Sequence, residues 1–75
     1  MPPSLPVLSG RELVRVFESF GWCVARQNGS HIIMIKAGEI VTLSIPEHKE
    51  VAKGTLRSLI RLAGLTVTDF VAATR

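Results

Sequence analysis

The sequence predicts a small α+β domain in which two helices cover one face of a three-stranded antiparallel sheet. Three observations support this fold: an amphipathic helical pattern near each end of the chain, three short strand-like runs between them, and an Asn-Gly pair between the first two runs. The chain has 75 residues, enough for one domain, and 47% of them are hydrophobic, enough for a core. The predicted order is α-β-β-β-α, followed by a short C-terminal helix.

The first helix is predicted over about residues 10–20. Residues 1–8 precede it as an extended, proline-rich segment, and the domain proper is expected over residues 9–75. Ser9 and Glu12 have the spacing of a capping box, in which each side chain accepts a hydrogen bond from the other residue's amide. Hydrophobic residues then recur on one helical face, and Gly21 is expected to end the helix.

Three strands are predicted over residues 22–27, 31–36 and 39–45, and Pro46 ends the third. Asn28-Gly29 favours a tight hairpin turn, which would pair Gln27 with Ser30 and Arg26 with His31.

Alternation along these strands assigns residues to two opposite faces of the sheet. The face beneath the helices is predicted to hold an almost entirely apolar set, namely Cys23, Ala25, Ile32, Met34, Val41, Leu43 and Ile45. The open face would hold Trp22, Val24, Arg26, His31, Ile33, Ile35, Ile40, Thr42 and Ser44. This open face is unusually apolar, so we expect it to bind a protein partner or a second copy of the chain. A different strand register is the alternative.

Two helices are predicted after a polar loop over residues 46–53. The first of them has an apolar face and stops at Gly64; that face comprises Leu56, Leu59, Ile60 and Ala63. Thr66 and Asp69 have capping-box spacing and would begin the short last helix.

Composition excludes several classes of protein and favours polyanionic partners. The formal charge is +3, and the single cysteine, Cys23, cannot form an internal disulfide. The first six residues lack the charge and apolar core of a signal peptide, and the longest strictly apolar run, residues 32–35, is too short to span a bilayer. We therefore expect a cytoplasmic protein that does not associate with membranes.

The sequence predicts no metal site and no cofactor. His31 and His48 are seventeen positions apart, and no His or Cys pair has ligand spacing. The acidic residues do not cluster as a two-metal nuclease requires, and no glycine-rich phosphate loop is present. A Ser-His-acid triad is conceivable, but no motif locates one. Any chemistry would then depend on one or two histidines and nearby cations.

His31 is the candidate catalytic residue, because a tight turn would expose it at the end of the hairpin opposite Arg26. RNA supplies its own nucleophile, the 2′-hydroxyl, so metal-free cleavage needs only an imidazole and a cation for the phosphate. Arg26 and His48 are candidates for catalytic or phosphate-binding support. The alternative is a surface histidine that only helps to form the turn.

Basic residues on and before the second main helix are candidates for RNA binding. Lys53, Arg57 and Arg61 are spaced at i, i+4 and i+8, and Lys49 lies just upstream. The helix N-terminus adds a positive dipole end suited to phosphate. The alternative is an ordinary solvated helix face, and Glu47 and Glu50 interrupt the positive run.

Over residues 8–74 the sequence resembles the HicA family of mRNA-interferase toxins from type II toxin–antitoxin pairs. The resemblance is carried by Ser9-Gly10-Arg11-Glu12-Leu13, Gly21-Trp22, Arg26-Gln27-Asn28-Gly29-Ser30-His31, Leu43-Ser44-Ile45-Pro46 with His48, and the stretch from Lys53 to Ile60 with Ala63-Gly64-Leu65. It implies a fold similar to the double-stranded RNA-binding domain and metal-independent endoribonuclease activity on mRNA. The family's catalytic histidine closes the Gly-Ser-His motif, which here is His31.

The resemblance also implies a HicB-like antitoxin as partner. We expect it to bind over His31 and the open sheet face, with Trp22, Ile33 and Ile35 as candidate anchors. Two other functions remain open from the residues alone: a non-catalytic module that binds double-stranded RNA, and a protein-interaction module without RNA function.

Overall fold

A computed structural model describes residues 4–75 and contains three helices and three strands. In chain order these are α1 (Gly10–Glu18), β1 (Cys23–Asn28), β2 (His31–Ile35), β3 (Leu43–Pro46), α2 (Lys53–Leu62) and α3 (Val67–Ala73). The strands are antiparallel in the order β1-β2-β3. The predicted α+β fold class is confirmed. Residues 1–3 of the predicted proline-rich segment lie outside the described residues.

The core lies between the helices and one face of β2 and β3. Ile32, Met34, Leu43 and Ile45 are buried on that face, as the alternation predicted. The apolar stripes of α1 and α2 cover them, with Leu13, Phe17, Leu56, Leu59 and Ile60 buried. The Phe17 and Phe70 rings pack with centroids 5.5 Å apart, which fixes α3 against α1.

The predicted capping box begins α1. The Ser9 amide donates to Glu12 Oε1 over 2.9 Å, and the Glu12 amide donates to Ser9 Oγ over 3.1 Å. The hydrogen bond from the Ser9 backbone amide is the main cause that holds the pKa of the Glu12 carboxyl below its usual value. The Ser9 side chain and the Arg15 charge lower it further, and desolvation opposes them.

This lowered pKa makes the contribution of Glu12 to stability depend on pH. A carboxyl whose pKa is lower in the folded state stabilises the protein above its unfolded pKa, and the contribution is lost as pH falls through the folded value. We expect Glu12→Gln to lower the midpoint of urea denaturation at pH 7, and the deficit to shrink below about pH 4. Circular dichroism at both pH values measures it. Glu18→Gln, on the same helix outside the cap, serves as the control, and a deficit independent of pH would contradict the expectation.

The hairpin register differs from the predicted one. Asn28 pairs with His31, and Gly29-Ser30 forms the turn, so the predicted pairs Gln27–Ser30 and Arg26–His31 are wrong. Gly29 has a φ of 62°, whereas Ser30 has no positive φ. This combination fits a two-residue turn with glycine in the first central position. The turn therefore lies one residue later than predicted.

β1 contains an irregularity between Val24 and Arg26, which reverses the alternation of its side chains. Val24 pairs with Met34 and Gln27 with Ile32, so both lie on the helix side, whereas Cys23 and Arg26 lie on the open side. The predicted places of Cys23 beneath the helices and of Val24 on the open face are therefore wrong, and Ala25 falls at the irregularity and is exposed. Cys23 is exposed.

Trp22 is not on the surface of the sheet: it is 1% exposed and belongs to the core. Trp22 precedes β1, and its amide donates to the Phe17 carbonyl over 3.2 Å. Strand alternation therefore does not apply to it, and its predicted place on the open face is wrong. Ile40 and Thr42 likewise precede the observed start of β3, and Ile40 is fully exposed in the connecting loop.

Residues 4–9, here called the N-terminal segment, run beside the loop that follows β3. The Val51 amide donates to the Leu8 carbonyl over 2.9 Å, and Lys53 Nζ donates to the Leu5 carbonyl. Leu5 and Leu8 are buried.

At the start of α1, a Cβ on Gly10 would clash with the Pro46 carbonyl oxygen, so only glycine allows this close approach. No helix within residues 4–75 has the length and hydropathy needed to cross a membrane.

Candidate active site

His31 occupies the end of the hairpin in the middle strand of the sheet. It is the first residue of β2, directly after the turn, and it is exposed. Asn28 of β1 pairs with it on one side and Pro46 of β3 on the other. The backbone of His31 is thus held by two neighbouring strands while its side chain remains accessible to a large substrate.

Arg26 lies on the same face of the sheet as His31, but diagonally from it. Arg26 pairs with Ile33, two residues beyond His31 along β2. Side chains at such diagonal positions are about 7–8 Å apart at their backbones, a separation that a guanidinium can span. Asn28, which the sequence predicts to lie in the turn, occupies the place directly opposite His31 instead of Arg26.

His48 lies just beyond the end of β3, near the start of α1. It is exposed and borders a cavity of about 270 Å³ with Ser9, Arg11 and Lys49, near the start of α1. Its carbonyl accepts a hydrogen bond from the Gly10 amide over 2.9 Å. The structure therefore associates His48 with the first turn of α1 and with Lys49.

Glu47 links the hairpin turn to β3 and α1, a role that the sequence did not indicate. Its amide donates to the Ser30 carbonyl over 2.7 Å. Gln27 Nε2 donates to Glu47 Oε1 over 2.8 Å, and Arg11 Nη2 forms an ion pair with Glu47 Oε2 at 2.6 Å. Glu47 thus contacts the residue before His31 through its backbone amide, and it contacts Gln27 of β1 and Arg11 of α1 through its carboxylate.

The predicted RNA-binding cations lie in different environments. Arg57 and Arg61 are exposed on α2 and border a cavity of about 280 Å³ whose lining includes Leu65 and Val67. Lys49 is exposed on the loop after β3. Lys53 is half-buried, and its ammonium donates to a carbonyl of the N-terminal segment. Lys53 is therefore the least available of the four for a phosphate.

The open sheet face retains part of its predicted apolar character. Ile35 is 46% exposed and Ile33 is half-buried, so both present apolar surface beside His31. Trp22, the third predicted anchor, has no surface to offer to an antitoxin. Within residues 4–75, no three His, Cys, Asp or Glu side chains group where they could hold a metal ion.

Comparison with known proteins identifies a family model and a solved structure that are similar to this chain. The family model described as HicA toxin of bacterial toxin-antitoxin matches residues 10–65, a span that includes Arg26, His31 and His48. A chain in a solved structure, titled a toxin–antitoxin complex from Streptococcus pneumoniae, is 37% identical with a TM-score of 0.69. That similarity covers 77% of this chain and 98% of the other. No curated protein gives a significant match.

Proposed function

The chain belongs to the HicA toxin family of bacterial toxin–antitoxin systems, and from that membership we propose that it is an endoribonuclease that cleaves mRNA with His31 as its catalytic residue. The observation that carries this proposal is the position of His31. It is exposed at the hairpin end, beside Asn28 and on the same face as Arg26. An imidazole and a guanidinium on one accessible surface are the two groups that cleavage through the 2′-hydroxyl requires.

In the proposed mechanism, neutral His31 accepts the proton of the ribose 2′-hydroxyl. The 2′ oxygen then forms a bond to the adjacent phosphorus, and Arg26 stabilises the added negative charge of the phosphorane. The bond from phosphorus to the 5′ oxygen breaks, and that oxygen takes a proton from the His31 imidazolium. The products are a 2′,3′-cyclic phosphate and a 5′-hydroxyl end.

We propose that the exposed cations bind the phosphates of the RNA backbone. Arg57 and Arg61 on α2 and Lys49 on the loop are available to phosphates, whereas Lys53 would contribute only after leaving its carbonyl partner. Phosphate contacts release counterions, so RNA affinity is expected to fall steeply with salt.

We propose a HicB-like antitoxin as the protein partner, bound over the open face of the sheet. Covering His31 is the simplest way to silence a toxin that depends on one imidazole. Ile33 and Ile35 remain as apolar anchors, and Arg26 offers a charge-assisted contact to an antitoxin carboxylate. Apolar anchoring would make this complex less sensitive to salt than RNA binding.

Cleavage is expected to continue in excess EDTA, because the proposed steps use only the RNA hydroxyl and protein side chains. The test incubates purified protein with labelled RNA, with and without chelator, and identifies the product ends. His31→Ala protein purified in the same way controls for contaminating nuclease. Loss of cleavage on chelation, restored by magnesium, would overturn the proposed mechanism. Binding without cleavage would instead indicate a non-catalytic RNA-binding module.

A further inference from the structure

We infer that Glu47 is a positioning residue for His31: its carboxylate, through Gln27, holds the Gly29-Ser30 turn against the end of β3 and the start of α1. This inference rests on the proposed catalytic function of His31 and concerns the same site. Glu47 itself neither touches the reacting atoms nor transfers a proton in the proposed reaction.

The contacts converge on the turn from two sides. Gln27 Nε2 donates to the Gly29 carbonyl over 3.2 Å and to Glu47 Oε1 over 2.8 Å, so one amide group bridges the turn and the carboxylate. The Glu47 amide donates to the carbonyl of Ser30, which is bonded directly to His31. The second carboxylate oxygen forms the ion pair with Arg11 of α1.

This turn needs such support because its residues are exposed. Residues 27–31 are all exposed, and a two-residue turn with exposed hydrogen bonds is the kind of segment that opens locally. The Glu47 side chain is 26% exposed, against 73% for Arg11, so the carboxylate is partly shielded from water. Hydrogen bonds to an ionised, partly shielded carboxylate are stronger than those between neutral groups.

The charge of Glu47 gives the inference a test with opposite outcomes. If the carboxylate acted only by electrostatic repulsion of phosphate, removing its charge would strengthen phosphate binding. The cleavage rate would then be unchanged or higher. If it positions His31, removing it lowers kcat, since displacement of a catalytic group by about 1 Å can cost about 100-fold.

The experiment compares Glu47→Ala, Glu47→Gln and Glu50→Ala in steady-state RNA cleavage. We expect Glu47→Ala to lower kcat by about 10- to 100-fold, with KM unchanged or lower. Glu47→Gln keeps an oxygen that accepts from Gln27 and should stay within about 5-fold of the wild type. Glu50→Ala removes the same charge from an exposed position on the same loop and should leave kcat unchanged.

A second measurement is independent of activity. Backbone order parameters of Gly29 and Ser30, measured by NMR, are expected to fall in Glu47→Ala and not in Glu50→Ala. If Glu47→Ala does not fold, Gln27→Ala removes the same bridge from the exposed side of the contact. The inference is overturned if Glu47→Ala has the kcat of the wild type, or if the order parameters of Gly29 and Ser30 do not change in it. If the wild type cleaves no RNA, the proposed function fails, and the order parameters alone decide whether Glu47 holds the turn.

Discussion

His31→Ala is expected to lower RNA cleavage by about 10²- to 10⁴-fold, the range that general acid–base catalysis supplies. The variant should fold normally, because the side chain is exposed at the hairpin end. Surface substitutions of this kind change stability by about 0.5 kcal/mol or less. RNA affinity should change little, because the exposed cations of α2 and the loop remain.

Cleavage assays and growth on induction of the gene measure this effect. His48→Ala is the matched control, because it removes the other histidine from an exposed position near the start of α1. We expect His31→Ala to be tolerated by cells in which the wild type arrests growth. A toxic His31→Ala variant would show that another group carries the chemistry. A variant that unfolds would show that His31 serves the turn.

Trp22→Ala is expected to have the largest effect on stability, about 3–5 kcal/mol, as for other buried aromatic residues cut to alanine. Trp22 is 1% exposed, so its removal leaves a large cavity in a small core. Domains of this kind have total stabilities of about 5–15 kcal/mol, so the variant should be partly unfolded at 37 °C.

Urea denaturation followed by circular dichroism tests this expectation without using tryptophan fluorescence. Ile35→Ala is the control, since Ile35 is 46% exposed on the open face and should lose much less stability. Trp22→Phe should be milder than Trp22→Ala, because the buried indole N–H has no hydrogen-bond partner within the described residues. Equal stability of Trp22→Ala and Ile35→Ala would contradict the placement of Trp22 in the core.

The helices and the inner face of the central strand were predictable because they depend on local patterns. The Ser9–Glu12 capping box and the apolar stripes of α1 and α2 act within a few residues. The strand register was not predictable in the same way. Asn28-Gly29 indicates a turn but not whether glycine takes its first or second central position. A shift of one residue then changes every pair along β1.

Only part of the candidate site was predictable, because some of its contacts are local and others depend on tertiary structure. The Gly-Ser-His sequence places His31 beside a turn, where exposure follows from the hairpin itself. The contacts of Glu47 depend on tertiary structure, since Gln27 and Glu47 are twenty residues apart. The prediction for Trp22 is wrong because the predicted first strand includes residue 22, whereas β1 and its alternation begin at Cys23.

The pairing of the N-terminal segment with the loop after β3 constrains the order in which the chain can assemble on the ribosome. Leu5 and Lys53 are 48 positions apart, so the hydrogen bond between them cannot form until the start of α2 has been synthesised. Leu5 and Leu8 are both buried in the finished fold. The hairpin of β1 and β2 closes over a much shorter distance and can form earlier. The contact of the N-terminal segment with the start of α2 is therefore expected to form after the hairpin during synthesis.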